Sequence, residues 1–139
     1  AHAVDTPPTI SRVLSYRLTP AVTARDLLGA TAGEPDALVI ECYGAGNAPM
    51  GKPGIPDALR EIGKRMPVVA ITQCAQGTVN TDRYAVGRQM ASVGVISGGD
   101  LTVEAAVAKL GYLIDQGASH EQIDSLMQQN LVGECTHLS

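Results

Sequence analysis

Two loops hold the residues whose types and spacing could do chemistry. The first is YGAGNAP, residues 43–49, in which two glycines free the backbone for close approach to a ligand and Asn47 offers both donors and acceptors. Such a side chain suits an amide or a carboxylate ligand. In the alternative, the segment is a tight turn in which Asn47 bonds its own backbone, and the sequence leaves both interpretations open. A dinucleotide site is disfavoured, because Pro49 stands where the G-x-G-x-x-G pattern requires its third glycine.

The second loop, residues 72–80, contains Cys74 directly after a predicted buried strand. Cys74 could be a nucleophile only with a base beside it, and His2, His120 and His137 lie at the termini or on a predicted surface helix. A buried, inert thiol is therefore expected. The chain contains no G-x-S-x-G elbow, P-loop or metal-ligand spacing, so the residues alone predict a ligand-binding domain without its own reaction centre.

The elements that must position these loops alternate between strands and helices. Alternation of apolar and polar residues predicts a half-buried strand at 14–18, and Thr19-Pro20 predicts a helix that runs to about Leu28 and ends at Gly29. Short apolar runs at 37–40 and 68–71 predict buried strands, each followed by a loop and a helix. The first of these helices starts at Pro56, and the second carries Val86, Met90 and Val93 and stops at Gly94.

Two further helices are predicted after a turn at Gly98-Gly99-Asp100. The first has apolar residues at helical spacing from Val103 to Ile114. Glu104 on it is expected to be a solvated first-turn acid, and neither Glu104 nor Lys109 suggests catalysis. The second begins with a capping box of Ser119 and Gln122. Repeated βα units predict an α/β fold of the Rossmann-like or flavodoxin-like kind, a small and mostly parallel sheet with helices on both faces. Residues 1–9 are expected to be a linker or trimmed junction, residues 10–139 one domain, and both loops lie at the carboxyl ends of strands, where ligands bind.

Composition excludes several classes of function. A net charge of −4 without a basic run argues against nucleic acid and anionic membrane surfaces as partners. No apolar run reaches the roughly 18 residues of a membrane span. Three cysteines without a C-x-x-C pair fit reduced thiols, so we expect a cytoplasmic protein.

Four segments together resemble the asparaginase/glutaminase family in its cytoplasmic type I branch. They are YGAGNAP (43–49), TQC (72–74), YAVG (84–87) and GVISGGDLTVEA (94–105), and the resemblance extends over about residues 10–136. It implies the C-terminal domain of a two-domain enzyme that hydrolyses L-asparagine to L-aspartate and ammonia without a cofactor. The family's threonine nucleophile lies in an N-terminal domain. Its Thr-Gly-Gly-Thr motif is absent from these 139 residues, and Thr81-Asp82 lies in the wrong context to replace the catalytic Thr-Asp.

The resemblance assigns roles to individual residues. It implies that Asn47 reaches across a subunit interface to position substrate in the neighbour's active site, so the expected partners are the N-terminal domain and further copies in a homo-oligomer. It implies an allosteric asparagine site lined partly by Tyr43 and Cys74. Glu41 stands where bacterial members commonly have an arginine, which removes a carboxylate-binding fork and argues against allosteric activation.

Two alternatives stay open from the sequence. One is a glutamine-hydrolysing subunit of a tRNA-dependent amidotransferase, since that family shares this domain and L-glutamine is a possible substrate. The other is a non-catalytic asparagine-binding or dimerisation module. For the asparaginase domain we expect the 139 residues alone to be inactive as a hydrolase. We also expect them to self-associate through apolar residues that a second domain would cover.

Overall fold

The computed structural model describes residues 11–44, 47–72 and 81–129, with the backbone alone at 81–84. In these ranges strands and helices alternate as predicted. In chain order they are β1 (Val13–Arg17), α1 (Ala24–Ala30), β2 (Ala37–Glu41), α2 (Ile55–Gly63), β3 (Val68–Ile71), α3 (Thr81–Ser92), β4 (Ile96–Ser97), α4 (Val103–Asp115) and α5 (His120–Met127). The linker predicted at 1–9 lies outside the described residues.

The strands form one parallel sheet in the order β1-β2-β3-β4. Because the sheet grows in a single direction, right-handed crossovers carry the connecting helices to the same face. Leu27 of α1, Leu59 of α2 and Met90 of α3 accordingly share one apolar core. The other face is covered by α4 and α5, which follow the last strand. The predicted α/β fold, with helices on both faces, is confirmed.

The strand β2 shows why the sheet is stable. Its residues alternate between the two cores. Leu38 and Ile40 face the core shared by α1, α2 and α3, which we call the α1–α3 core, and Ala37 and Val39 face the core on the side of α4 and α5. All of them are fully buried, as expected of a central parallel strand. The edge strand β1 is half-buried, also as predicted.

The predicted start and end of α1 are wrong. The helix begins at Ala24 with Thr23 as its N-cap, in a capping box with Asp26, and Thr19 belongs to a turn that Val22 N–H closes onto its carbonyl. Lys52 explains the late start, because its Nζ donates to the carbonyl oxygens of Pro20 (3.2 Å) and Val22 (2.7 Å). At the other end the helix passes through Gly29 and is capped by Thr31.

The remaining helices follow the sequence closely. The left-handed residue Gly94 (φ 92°) follows α3, and Ser119 and Gln122 form the predicted capping box of α5. The helix α4 starts at the N-cap Thr102, whose side chain accepts from Ala105 N–H. On α4, Glu104 is exposed as predicted, whereas the Lys109 ammonium donates to the carbonyl oxygen of Gln129 (2.6 Å).

Candidate functional site

The loop after β2 leaves the carboxyl edge of the sheet, as the sequence predicts. The strand pairing continues beyond β2, because Cys42 N–H donates to the carbonyl oxygen of Ile71 at the end of β3 (2.9 Å). At the end of β3, Thr72 N–H in turn donates to the carbonyl oxygen of Gly99 (2.9 Å), in the turn after β4. The three strand ends are thus tied together at the edge from which residues 43–49 emerge.

The neck of this loop is closed by two reciprocal hydrogen bonds between Tyr43 and Asn47. Tyr43 N–H donates to the Asn47 carbonyl (2.9 Å), and Asn47 N–H donates to the Tyr43 carbonyl (2.7 Å). The pair forms an isolated antiparallel bridge. We call this pair of hydrogen bonds the Tyr43–Asn47 clamp. Between the two, Gly44 adopts a left-handed conformation (φ 58°) that side-chain-bearing residues rarely adopt.

Both sides of the clamp are anchored in the core. Tyr43 is half-buried and packs against the α1–α3 core, and directly after Asn47 the side chains of Ala48 and Met50 are buried in the same core. Met50 N–H also donates to the carbonyl oxygen of Ala48 (2.8 Å). The position of the Asn47 backbone is therefore determined by the fold of the domain.

The side chain of Asn47, unlike its backbone, has no hydrogen-bond partner among residues 11–44, 47–72 and 81–129. It is half-buried, and within the described ranges the structure shows no hydrogen bond from its amide group. The alternative in which the Asn47 amide bonds the loop's own backbone is therefore not seen among the described residues. The two hydrogen bonds of the clamp join backbone groups only. A side-chain amide whose backbone is held in place, and which has no bond to the described residues, can donate a hydrogen bond to a ligand and accept one from it.

The residues predicted for an allosteric site are brought together only in part. Tyr43 lies in the clamp, and Cys74 lies outside the described residues with the rest of the second loop from residue 73 to 80. Glu41 is opposite Arg17 in the β1–β2 register, and the Arg17 guanidinium lies 3.5 Å from its Oε1. The Glu41 side chain is 20% exposed and that of Arg17 69% exposed, so a weak, partly solvated ion pair stands at this position.

A groove that the sequence did not predict runs along β4. It has a volume of about 730 Å³ and lies between α3 and α5, with Arg88, His120 and Asp124 among its polar lining residues. Neither Tyr43 nor Asn47 lines it. Its side chains come from elements distant in the chain and from exposed helical positions, which no local pattern distinguishes from an ordinary solvated helix face.

Metal and membrane chemistry find no support in residues 11–44, 47–72 and 81–129. No group of three or more His, Cys, Asp or Glu side chains there could hold a metal ion. No helix in the same ranges is long and apolar enough to cross a membrane.

Comparison with known proteins gives consistent matches. Residues 12–127 match the family described as the glutaminase/asparaginase C-terminal domain. The chain is 44% identical over 100 residues to L-asparaginase 1 of Escherichia coli, covering 72% of this chain and 30% of that protein. It is 38% identical over 97 residues to a subunit of the glutamyl-tRNA(Gln) amidotransferase of Methanobrevibacter smithii, covering 70% of this chain and 22% of that protein.

A solved structure agrees with these sequence matches. L-asparaginase I from Vibrio cholerae superimposes with a TM-score of 0.79 at 37% identity, covering 94% of this chain and 40% of that one. The chain thus spans less than half the length of the proteins it matches.

Proposed function

Because this chain belongs to the glutaminase/asparaginase C-terminal domain family, we propose that it is the substrate-positioning domain of an L-asparaginase. The reaction is hydrolysis of the side-chain amide of L-asparagine, in which the carbon–nitrogen bond breaks, water supplies the new carboxylate oxygen, and ammonia leaves. The nucleophilic threonine comes from an N-terminal domain. Asn47 of this domain contacts the substrate across the interface between two subunits.

The observation that carries the proposal is the state of Asn47. Its backbone is held by the Tyr43–Asn47 clamp, while its amide has no hydrogen-bond partner in the part of the chain that the structure describes. Free asparagine presents an ammonium group, a carboxylate and an amide, each of which an amide side chain can bind. Holding such a substrate beside an attacking hydroxyl lowers the entropic part of the barrier, which suits a residue that does no chemistry itself.

The proposal includes a location and an assembly. Cys42 is a buried thiol, which suits a reducing compartment, and we propose the cytoplasm. A homo-oligomer follows from the role of Asn47, since its substrate lies in the neighbouring subunit. Glu41, which is paired with Arg17, stands where bacterial members commonly have a carboxylate-binding arginine, so we propose that the enzyme is not activated by asparagine at a second site.

A chimera tests the proposal directly. The matched part of the Vibrio cholerae L-asparaginase I is replaced by this chain, and ammonia release from L-asparagine and L-glutamine is measured. We expect activity on L-asparagine from the chimera and none from the 139 residues alone. Asn47→Ala should lower kcat/KM about 10- to 100-fold, the cost of one or two hydrogen bonds to a charged substrate. Gln89→Ala removes an exposed amide from α3, outside both loops, and should leave kcat/KM unchanged.

The other outcomes separate the alternatives. A chimera that prefers L-glutamine would favour the amidotransferase alternative, which the Methanobrevibacter smithii relative supports. Heat of binding from the chain alone with millimolar L-asparagine, in calorimetry, would favour a non-catalytic binding module. Ammonia release by the chain alone would overturn the proposal and direct attention to Cys74. Sedimentation of the chimera at several concentrations tests the oligomer, and a monomer at all of them would contradict it.

A further inference from the structure

We infer that Gly44 is a positioning residue that keeps the Asn47 amide free and correctly placed for substrate. This inference rests on the proposed function of Asn47 and goes beyond it by assigning a role to a second residue. The geometry that points to it is the clamp, the left-handed backbone of Gly44, and the short separation between Gly44 and the Asn47 side chain.

The clamp limits where the loop can adjust. On one side Cys42 N–H binds the carbonyl of Ile71, and on the other Ala48 and Met50 are buried in the α1–α3 core. Neither side can move without disturbing the sheet or the core. We therefore expect a change at Gly44 to act on the Tyr43–Asn47 clamp, which holds the backbone that carries the Asn47 side chain.

Gly44 has two features that bear on the Asn47 amide. Its φ of 58° is in the left-handed region, which alanine and larger residues disfavour. A Cβ at this position would lie 3.5 Å from the Asn47 amide nitrogen, in van der Waals contact. A side chain at 44 would fit into the structure, but it would occupy one side of the amide that the substrate is proposed to contact.

Gly51 offers a matched control. It lies seven residues further along the same connection between β2 and α2, it is exposed, and its backbone is not left-handed. A Cβ there would meet nothing within 4 Å. Gly51→Ala therefore adds the same methyl group to the same connection without straining the backbone and without approaching Asn47.

The experiment compares Gly44→Ala, Gly51→Ala, Asn47→Ala and the double variant Gly44→Ala/Asn47→Ala in the asparaginase chimera, with kcat and KM for L-asparagine. We expect Gly44→Ala to raise KM about tenfold, the equivalent of one misplaced hydrogen bond. Gly51→Ala should keep the KM of the parent chimera. In the double variant, Gly44→Ala should add nothing to the effect of Asn47→Ala, because both act through the same side chain.

A merely structural role for Gly44 gives a different signature. Loss of folded protein lowers kcat per total enzyme and the melting temperature, but it leaves KM unchanged, because the remaining folded molecules bind substrate normally. An unchanged KM in Gly44→Ala, or a further rise in KM in the double variant over Asn47→Ala, would overturn the inference. Should the parent chimera be inactive, or should Asn47→Ala have no effect, the proposed function fails first and the role of Gly44 falls with it.

Discussion

Gly44 and Gly98 lie in turns that leave the same edge of the sheet, yet a side chain would be unfavourable at each position for a different reason. Gly44 has a left-handed backbone and room for a Cβ beside Asn47. Gly98 has no left-handed backbone, and a Cβ on it would lie 2.9 Å from both Ile71 Cγ2 and Val69 Cγ1. The first glycine shapes a loop that presents a polar side chain, and the second allows the chain to pass close over β3. Two glycines at one sheet edge therefore serve different purposes, one allowing a left-handed loop conformation and the other a close approach to β3.

The helices that follow the two turns differ in how their N-termini are capped. The helix α4 starts with Thr102, whose hydroxyl accepts from the N–H of Ala105 (3.1 Å). The helix α2 starts with Gly54, which is left-handed (φ 84°) and has no side chain to cap the helix. The connection from β2 to α2 relies on backbone conformations, whereas the connection from β4 to α4 relies on a close approach and a conventional cap. Adding a side chain at the N-cap of α2 and removing one at the N-cap of α4 should therefore both destabilise the domain.

The largest effect is expected at Gly98. Gly98→Ala inserts a methyl group between two buried side chains, Ile71 and Val69, and the sheet or the turn must shift to admit it. We expect the free energy of unfolding to fall by about 1–3 kcal/mol, measured by urea unfolding followed by circular dichroism. Gly87→Ala on the exposed side of α3 is the control, because a Cβ there meets nothing within 4 Å. It should raise stability by up to about 1 kcal/mol. Equal midpoints for Gly98→Ala and the parent chain would show that the packing is not tight.

Much of the fold could be predicted because its signals are local. The apolar run at 37–40 and the helical spacing of apolar residues from Val103 to Ile114 are patterns within one element, and both are confirmed. The start of α1 was predicted wrongly, although Thr23 and Asp26 have the spacing of a capping box. Choosing between Thr19 and Thr23 required the knowledge that Lys52, about thirty residues away in the chain, binds the carbonyls of Pro20 and Val22. That contact exists only in the folded domain.

The same distinction between local patterns and contacts made on folding applies to the candidate site. The type and place of Asn47, on a glycine-containing loop at the carboxyl end of a strand, could be predicted from the sequence. The Tyr43–Asn47 clamp could not be predicted, because a bridge between two residues four apart depends on the backbone angles of the loop and not on side-chain types. The packing of β3 against Gly98 could not be predicted for a related reason. The sequence predicts a turn at Gly98, but it does not show which side chains of the sheet lie against that turn.

The second effect concerns the caps. Serine is normally a better N-cap than glycine, but Gly54→Ser should destabilise the domain by about 1–2 kcal/mol, because φ is 84°. A Cβ there would also lie 3.2 Å from the Cβ of Ala24. In α4, Thr102→Ala should cost about 1 kcal/mol through the lost hydrogen bond to Ala105 N–H, and Thr102→Ser should restore it. Chemical unfolding of all three variants measures the contrast, and a stabilised Gly54→Ser protein would contradict it.

The smallest effect depends on pH and concerns the cap of α1, which precedes both connections in the chain. The Thr23 backbone N–H donates to Asp26 Oδ2 (2.9 Å), and this hydrogen bond, with that from the Thr23 side chain, holds the pKa of Asp26 below its usual value. A carboxyl group whose pKa is lower in the folded state stabilises the fold above its unfolded pKa, and that stabilisation is lost as pH falls through the folded pKa. Asp26→Asn should therefore be less stable than the parent chain near neutral pH, and the difference should shrink in acid.

Thermal unfolding of both proteins from neutral pH down to acid measures this difference. Thr23→Ala separates the contributions, because it keeps the backbone N–H at position 23, which is the larger cause of the lowered pKa of Asp26, and removes only the hydroxyl. It should therefore lose some stability at every pH while retaining most of the parent's acid dependence. Melting temperatures of the parent and Asp26→Asn that stay parallel into acid would show that the cap contributes through shape alone, and that its charge plays no part in fixing where α1 begins.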